Sequence, residues 1–391
     1  MEWVSALSDT ARLSDALEAL EGAVARLSGP PDLMLLFVSP HVRGRAVELC
    51  ERLRERCGPK VLLGCTAAGV IGAGREVELQ PAVSMLAATL PGVEVTPLRV
   101  EAEAMPSPDD GPGRWVELLG VPQAPTPHFM LLCDPASSDP GRLLEGIDFA
   151  YAQSKTVGGL ASDGPTNLLF LDGDVLDGGT VGVALAGNVV LDPVVAQGCR
   201  PVGPSLRITA CQHNLLIELE GRRPTEVLEE LFHDISREEA RLLDRSLHLG
   251  IAATSLIDED QEPEYLVRNV LGADPRRGIL AIGSLLRPGQ RVRFHLRDAA
   301  AASADLEAML ARYRSEASVQ PAGAVLFSCT GRGRHLYGEP DHDSRVFAQA
   351  VGPEVPLGGF FCAGEIGPVG GDTCLLGYTS SFGLFRPLDA S

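Results

Sequence analysis

Residues 357–371 read LGGFFCAGEIGPVGG, an apolar run with six glycines and one carboxylate, Glu365. A buried carboxylate is costly unless something pairs with it, so the stretch asks for a partner. Residues 64–72 read GCTAAGVIG and close on the same Ala-Gly-x-Ile-Gly pattern. Aligning KVLLGCTAAG (60–69), KTVGGLASDG (155–164) and VPLGGFFCAG (355–364) shows a glycine at 64, 159 and 359, four residues, then a glycine at 69, 164 and 364. A strand-like run and a helical segment precede each, from Phe37 to Gly64, from Cys133 to Gly159 and from Ser328 to Gly359. Phe37 and Phe327 are also followed by Arg43-Gly44-Arg45 and Arg332-Gly333-Arg334. This recurrence predicts an α/β protein of two related sheet-and-helix halves, a layered α/β sandwich built from repeated strand–helix–strand–glycine units.

Working outward, strands are expected at LMLLFV (33–38), KVLLGC (60–65), HFMLLC (128–133), VGVALA (181–186) and AVLFSC (324–329). VRFHLR (292–297) alternates as a half-exposed strand, and 205–221 reads as a hairpin turning at Gln212 to Asn214. Helices are expected over Ser8 to Ser28, Arg43 to Arg56, from Asp139-Pro140 to about Gln153, after a Ser236/Glu239 capping box, over Ala299 to Ala317, and after a cap at Asp341 or Asp343. The acidic, proline-bearing stretches 103–113 and 257–264 read as loops. The expected division is an N-terminal helical segment (1–31), a domain over 32–220 and a second over 221–391.

The chain has 391 residues, 52 acidic against 33 basic, for a formal net charge of −19. That balance disfavours nucleic acid and anionic membranes as partners and leaves small ligands and proteins open. The N-terminus lacks the basic-then-apolar pattern of a signal peptide, and the longest apolar stretch, Val181 to Gly198, is broken by Asn188, Asp192 and Pro193. Nine cysteines with no CxxC pair point to reduced thiols and a cytoplasmic protein.

No GK[ST] follows the glycine pairs, so a Walker A reading fails, and the acidic spacing of a Rossmann fingerprint is missing too. Glycines at strand exits either admit a ligand's approach or simply pack a tight turn. SCTGRGRHLYGEPDHDS (328–344) is the densest polar segment. Arg332 follows a strand directly, where α/β proteins place ligand-contacting loops. It can pair with Glu365 as a structural bridge, or the two can clamp a zwitterion such as an amino acid. His335, His342, Asp341 and Asp343 match no metal-ligand spacing, so no metal is expected. Cys199, Cys329 and Cys362 show no base and orienting group, and free cysteine is by default a small buried hydrophobe. Arg200, between Cys199 and Pro201, either reaches an anion or lies in an interdomain loop.

GGLASDG (158–164), AGNVVLDPVVAQGCRPVGP (186–204), EYLVRNVLGAD (264–274), GQRVRFHLRDA (289–299), LFSCTGRGRHLYGEPDHDSRVF (326–347) and PLGGFFCAGEIGPVGG (356–371) together resemble the FIST family over roughly residues 32–385. The resemblance implies a sensory module for small ligands such as amino acids, found alone or fused to signalling domains. It also implies a link, in some bacterial members, to haem and nitric-oxide sensing. Carried over by position, it points to Arg332, Gly333, Arg334, Gly364, Glu365, Gly367, Gly198, Cys199, Arg200 and Pro201, beside the repeat glycine Gly159. Many relatives carry a histidine where this chain has Leu376, before Gly377-Tyr378-Thr379.

The expected function is therefore a stand-alone sensory protein, not an enzyme. It binds a small metabolite without a resident cofactor and signals through a separate protein. A haem sensor using His213, His335 or Cys199 is the alternative, and a cysteine-dependent hydrolase or transferase is a third.

Overall fold

The computed structural model describes residues 1–234, 246–253 and 263–388. The expected capping box at Ser236 and most of the 257–264 loop lie outside the described residues. The chain divides into two compact units, one of residues 1–196, 306–368 and 373–391, the other of 197–305 with 369–372. The expected division at 220/221 falls inside the second of these.

The first unit holds three six-stranded sheets. Each has one parallel pair, the product of a strand–helix–strand crossover. In the first sheet Leu33–Val38 runs parallel to Val61–Thr66, with helix Ala46–Cys57 between them in sequence. In the second, His128–Cys133 pairs with Thr156–Leu160 across helix Pro140–Ala150, which Asp139 caps by accepting the Arg142 N–H. In the third, Gly323–Cys329 pairs with Leu357–Cys362 across helix His342–Ala350.

Side chains alternate along these strands, and the period of two sorts them into cores. Leu35, Phe37, Met130, Leu132, Val325, Phe327 and Phe360 meet in one cluster drawn from all three sheets. Their neighbours Met34 and Leu36, Phe129 and Leu131, and Ala324 and Leu326 fill three separate clusters beneath each sheet's helices. Because both faces are covered, the strands read as continuous apolar runs.

Each parallel pair is extended by a strand from a neighbouring segment. Gly69–Gly72, which follows the first pair in sequence, crosses to the third sheet against Leu357–Cys362. Glu365–Val369, which follows the third pair, crosses to the second sheet against Thr156–Leu160. Leu169–Leu171, which follows the second pair, crosses to the first sheet against Val61–Thr66. The exchange is circular, and it accounts for the twin Ala-Gly-x-Ile-Gly sequences. Ile71 stands opposite Gly359 and Ile366 opposite Gly158, while Phe170 stands opposite Gly64.

The same three glycines face Leu326, Leu131 and Leu36 on their other side. A Cβ there would lie 1.9, 2.1 and 2.0 Å from the respective leucine carbonyl oxygens. The register partner in the second sheet is Gly158, one residue before the Gly159 of the sequence alignment.

The second unit is a closed barrel in the order Arg200–Gln212, Leu215–Leu219, Ile279–Ile282, Tyr265–Asp274, Leu247–Ala252 and Arg291–Leu296. The expected hairpin is present, turning at His213, whose φ is 55°. Two halves in one layered sandwich are thus replaced by three sheets around a shared core and a separate barrel. Three local expectations also change. The N-terminus opens as strand Glu2–Ser8, and its helix covers only Leu13–Val24. Helix Pro112–Leu119 begins within the supposed 103–113 loop. His295 is buried rather than on an exposed strand face. No described helix is long and apolar enough to cross a membrane.

Candidate functional site

Arg332 follows the third sheet's strand Gly323–Cys329 and is wholly buried. Its partner is Asp343 and not Glu365: Nε donates to Oδ2 at 2.8 Å and Nη2 to Oδ1 at 3.1 Å, a bidentate pair. Nη2 also donates to the Tyr337 hydroxyl at 2.6 Å. Asp343 Oδ2 further accepts from Ser380 at 2.5 Å, and Oδ1 lies 3.0 Å from His342 Nδ1. The Tyr337 and His342 rings stack at 3.5 Å. Burial alone would raise the Asp343 carboxyl, but the Arg332 guanidinium and the His342 and Ser380 hydrogen bonds outweigh it and hold the group ionised. Burial disfavours the Arg332 charge as well, and Asp343 reverses that.

Glu365 is also wholly buried, and its Oε2 accepts from the Thr379 N–H at 3.1 Å. Asp341 occupies the N-cap position of helix His342–Ala350, at φ 62°, without capping it. Its Oδ1 accepts instead from the Glu76 N–H at 2.6 Å, while Glu76 Oε1 accepts from the Ser344 N–H at 2.7 Å. The Glu76 carboxylate thus caps a first-turn N–H of that helix from strand Arg75–Glu78, more than 260 residues away in sequence, and Asp341 holds the Glu76 backbone in place. Burial first, then the nearby Asp343 charge, pushes the Glu76 carboxyl up to about 8.

Two residues further along that strand, Glu78 lines a pocket of about 430 Å³ with Ala68, Gly69, Leu79, Thr330, Arg334, His335 and Phe361. It opens beyond the carboxyl ends of the parallel strands Val61–Thr66 and Gly323–Cys329, where α/β sheets bind ligands. Glu78 Oε2 accepts from the Arg334 N–H at 2.9 Å, and burial raises the Glu78 carboxyl. Gly333 has φ 53°, and a Cβ there would lie 2.7 Å from Glu78 Oε2 and 2.8 Å from Phe361. A side chain at 333 would displace the carboxylate. Ser162 steadies the floor: its Oγ accepts from Ala68 N–H at 2.9 Å and donates to the Phe361 carbonyl.

Of the expected residues, Arg334 reaches this pocket and Gly333 shapes it. Gly159, Gly364 and Gly367 are packing positions, facing Cys362 Sγ, Leu160 and Ser381 Oγ respectively. Gly198, Cys199, Arg200 and Pro201 belong to the second unit, where Gly198 N–H donates to Asp305 and Arg200 pairs with Asp298. His213 lies at the barrel's hairpin turn. Among the described residues no group of three His, Cys, Asp or Glu side chains could hold a metal ion. Glu78 and Leu79 escaped sequence reading because REVEL (75–79) carries no motif. The second-position glycine of the repeat, Gly69, was the one signal near them.

Family models described as FIST N domain and FIST C domain match residues 32–222 and 224–368. An uncharacterized protein of Mycobacterium tuberculosis is 36% identical over 376 residues, 95% of each chain. Another from Mycobacterium bovis is 33% identical over 374 residues, also 95% of each. An F-box/LRR-repeat protein of Arabidopsis thaliana is 26% identical over 205 residues, 47% of this chain and 38% of that one. Among solved structures, one titled "cyanuic acid hydrolase from A. caulinodans" aligns over 99% of both chains at 11% identity and a TM-score of 0.34.

Proposed function

The chain belongs to the FIST family of sensory domains, and from that premise we propose that it senses a small zwitterionic metabolite, of the amino-acid type, in the Glu78–Arg334 pocket. The carrying observation is that opposite charges line one pocket of about 430 Å³ whose remaining wall is largely apolar. Such a setting suits a few convergent polar groups acting on a small ligand. Glu78 receives the ammonium, Arg334 and His335 the carboxylate, and Leu79 with Phe361 the side chain. Arg332 is engaged by Asp343 and is not among the residues lining the pocket.

Binding rather than catalysis is part of the same proposal. The Cys362 thiol is wholly buried and pushed well above its ordinary range, first by burial and then by the Glu365 charge, which opposes a thiolate nucleophile. A cytoplasmic setting, the absence of a resident cofactor and a separate signalling partner complete the reading. We further read the three strand–helix–strand–glycine segments as copies of one unit, supported by the shared glycine-to-leucine register.

Calorimetry with a panel of the common amino acids tests the assignment. At least one member is expected to bind, with Glu78→Gln and Arg334→Ala each weakening it tenfold or more. Silence across the panel, or unchanged affinity in both variants, would remove it. A Soret band after haemin addition, lost in His335→Ala, would favour the haem alternative instead.

A further inference from the structure

Leu79 brings two anomalies to the wall of the Glu78–Arg334 pocket. Among the described residues it is the most exposed large apolar side chain, at 83%. Its backbone is left-handed, with φ 59°, and no other branched aliphatic side chain among the described residues takes a positive φ. A bulky residue in that region is an outlier, and a turn that needs it ordinarily takes glycine or asparagine. No packing offsets the strain, since Leu79 joins none of the apolar clusters. Strain of this kind gathers at ligand sites.

The same pocket holds a fixed apolar surface in the buried Phe361 ring. A Cβ at Gly69 would lie 2.8 Å from its Cδ2, and one at Gly333 2.8 Å from its Cε1, carbons diagonally across the ring. The two glycines thus let backbone close on opposite sides of the ring, which has little room to turn. Ala68 adds a methyl group to the lining. Part of the lining is therefore charged, with Glu78, Arg334 and His335. The rest is a held ring and an aliphatic side chain left in water.

We propose that Leu79 is the specificity-determining residue of this pocket, and that the ligand carries a large apolar side chain of the leucine, methionine or phenylalanine type. The inference rests on the zwitterion reading and narrows it. On binding, that side chain packs against Phe361 and Leu79 and withdraws Leu79 from water, a gain of roughly fourfold in affinity per buried methylene. Small or charged amino acids satisfy the ionic groups but leave Leu79 exposed. The ring is already fixed before the ligand arrives, which limits the ordering that binding requires.

The test is calorimetric titration of the full chain with glycine, serine, glutamate, leucine, methionine and phenylalanine. At least one of the last three is expected to bind tenfold or more tighter than the first three. Leu79→Asn keeps the branched outline and suits a left-handed φ while removing the apolar surface, so it should cut that preference tenfold or more. Leu79→Gly should do the same. Both variants should melt no lower than the parent, because the exposed side chain gives up no core contact and glycine takes a positive φ freely. Equal affinity across the panel, or a preference undiminished in both Leu79 variants, overturns the inference and leaves the zwitterion site standing. Silence across the panel overturns both.

Discussion

Arg332 and Glu365 hold opposite ends of one peptide group. Arg332 Nη1 donates to the Tyr378 carbonyl at 3.4 Å, and Glu365 Oε2 accepts from the Thr379 N–H at 3.1 Å. Tyr378 has φ 65°, a left-handed conformation costing roughly 1–3 kcal/mol in a non-glycine residue. The two charged residues are linked through that turn, not to each other.

Removing the guanidinium leaves Asp343 buried and ionised. Arg332→Ala is expected to lose about 3–5 kcal/mol of stability, measured by urea denaturation. Glu365→Gln keeps an acceptor for Thr379 and should lose only about 1 kcal/mol. Near-equal stability of parent and Arg332→Ala would contradict the buried pair.

The strand glycines make a sharper comparison. Gly158→Ala brings a Cβ within 2.1 Å of the Leu131 carbonyl oxygen, and should cost about 3 kcal/mol or abolish folding. Gly22→Ala, in helix Leu13–Val24 with nothing within 4 Å, should instead gain about 0.5–1 kcal/mol. Thermal melting of the pair checks both signs.

Glu76 sets a pH dependence. Its carboxyl rises from 4.5 to about 8 on folding, through burial and the Asp343 charge. Between those values the folded state holds a proton that the unfolded state has released, so this group's contribution to stability falls as pH rises from 4.5 to 8. Glu76→Gln should flatten that decline in melting temperature, and an unchanged slope would argue against a neutral Glu76.

Burial, first in each case, pushes the thiols of Cys50 and Cys133 up to about 12 and those of Cys65 and Cys362 well above their ordinary range. Iodoacetamide on the native protein should therefore label the half-buried Cys57, Cys199, Cys211 and Cys374 first. Mass spectrometry of the digested chain reads the order, and early modification of Cys362 would refute it.

The parallel pairs were legible because strands covered on both faces become apolar runs, and the helices between them carry proline and glycine ends. Strand order was not. Gly69–Gly72 and Glu365–Val369 look alike in sequence yet join different sheets, since their neighbours are fixed by contacts far along the chain. The polar cluster around Arg332 was visible as composition, but its pairing turned on whether Asp343 or Glu365 came nearer. Glu76 and Glu78 gave no sequence sign, as their partners in 334–344 lie some 260 residues on.

The circular strand exchange also limits how this gene can be cut. A truncation after residue 222 would keep every strand of the first sheet while stripping the third of Gly323–Cys329, Leu357–Cys362 and Ser380–Arg386. Thr156–Leu160 would become a raw border in the second sheet, with open backbone groups inviting aggregation. The two family regions are thus a division of sequence only, and neither should survive expression without the other.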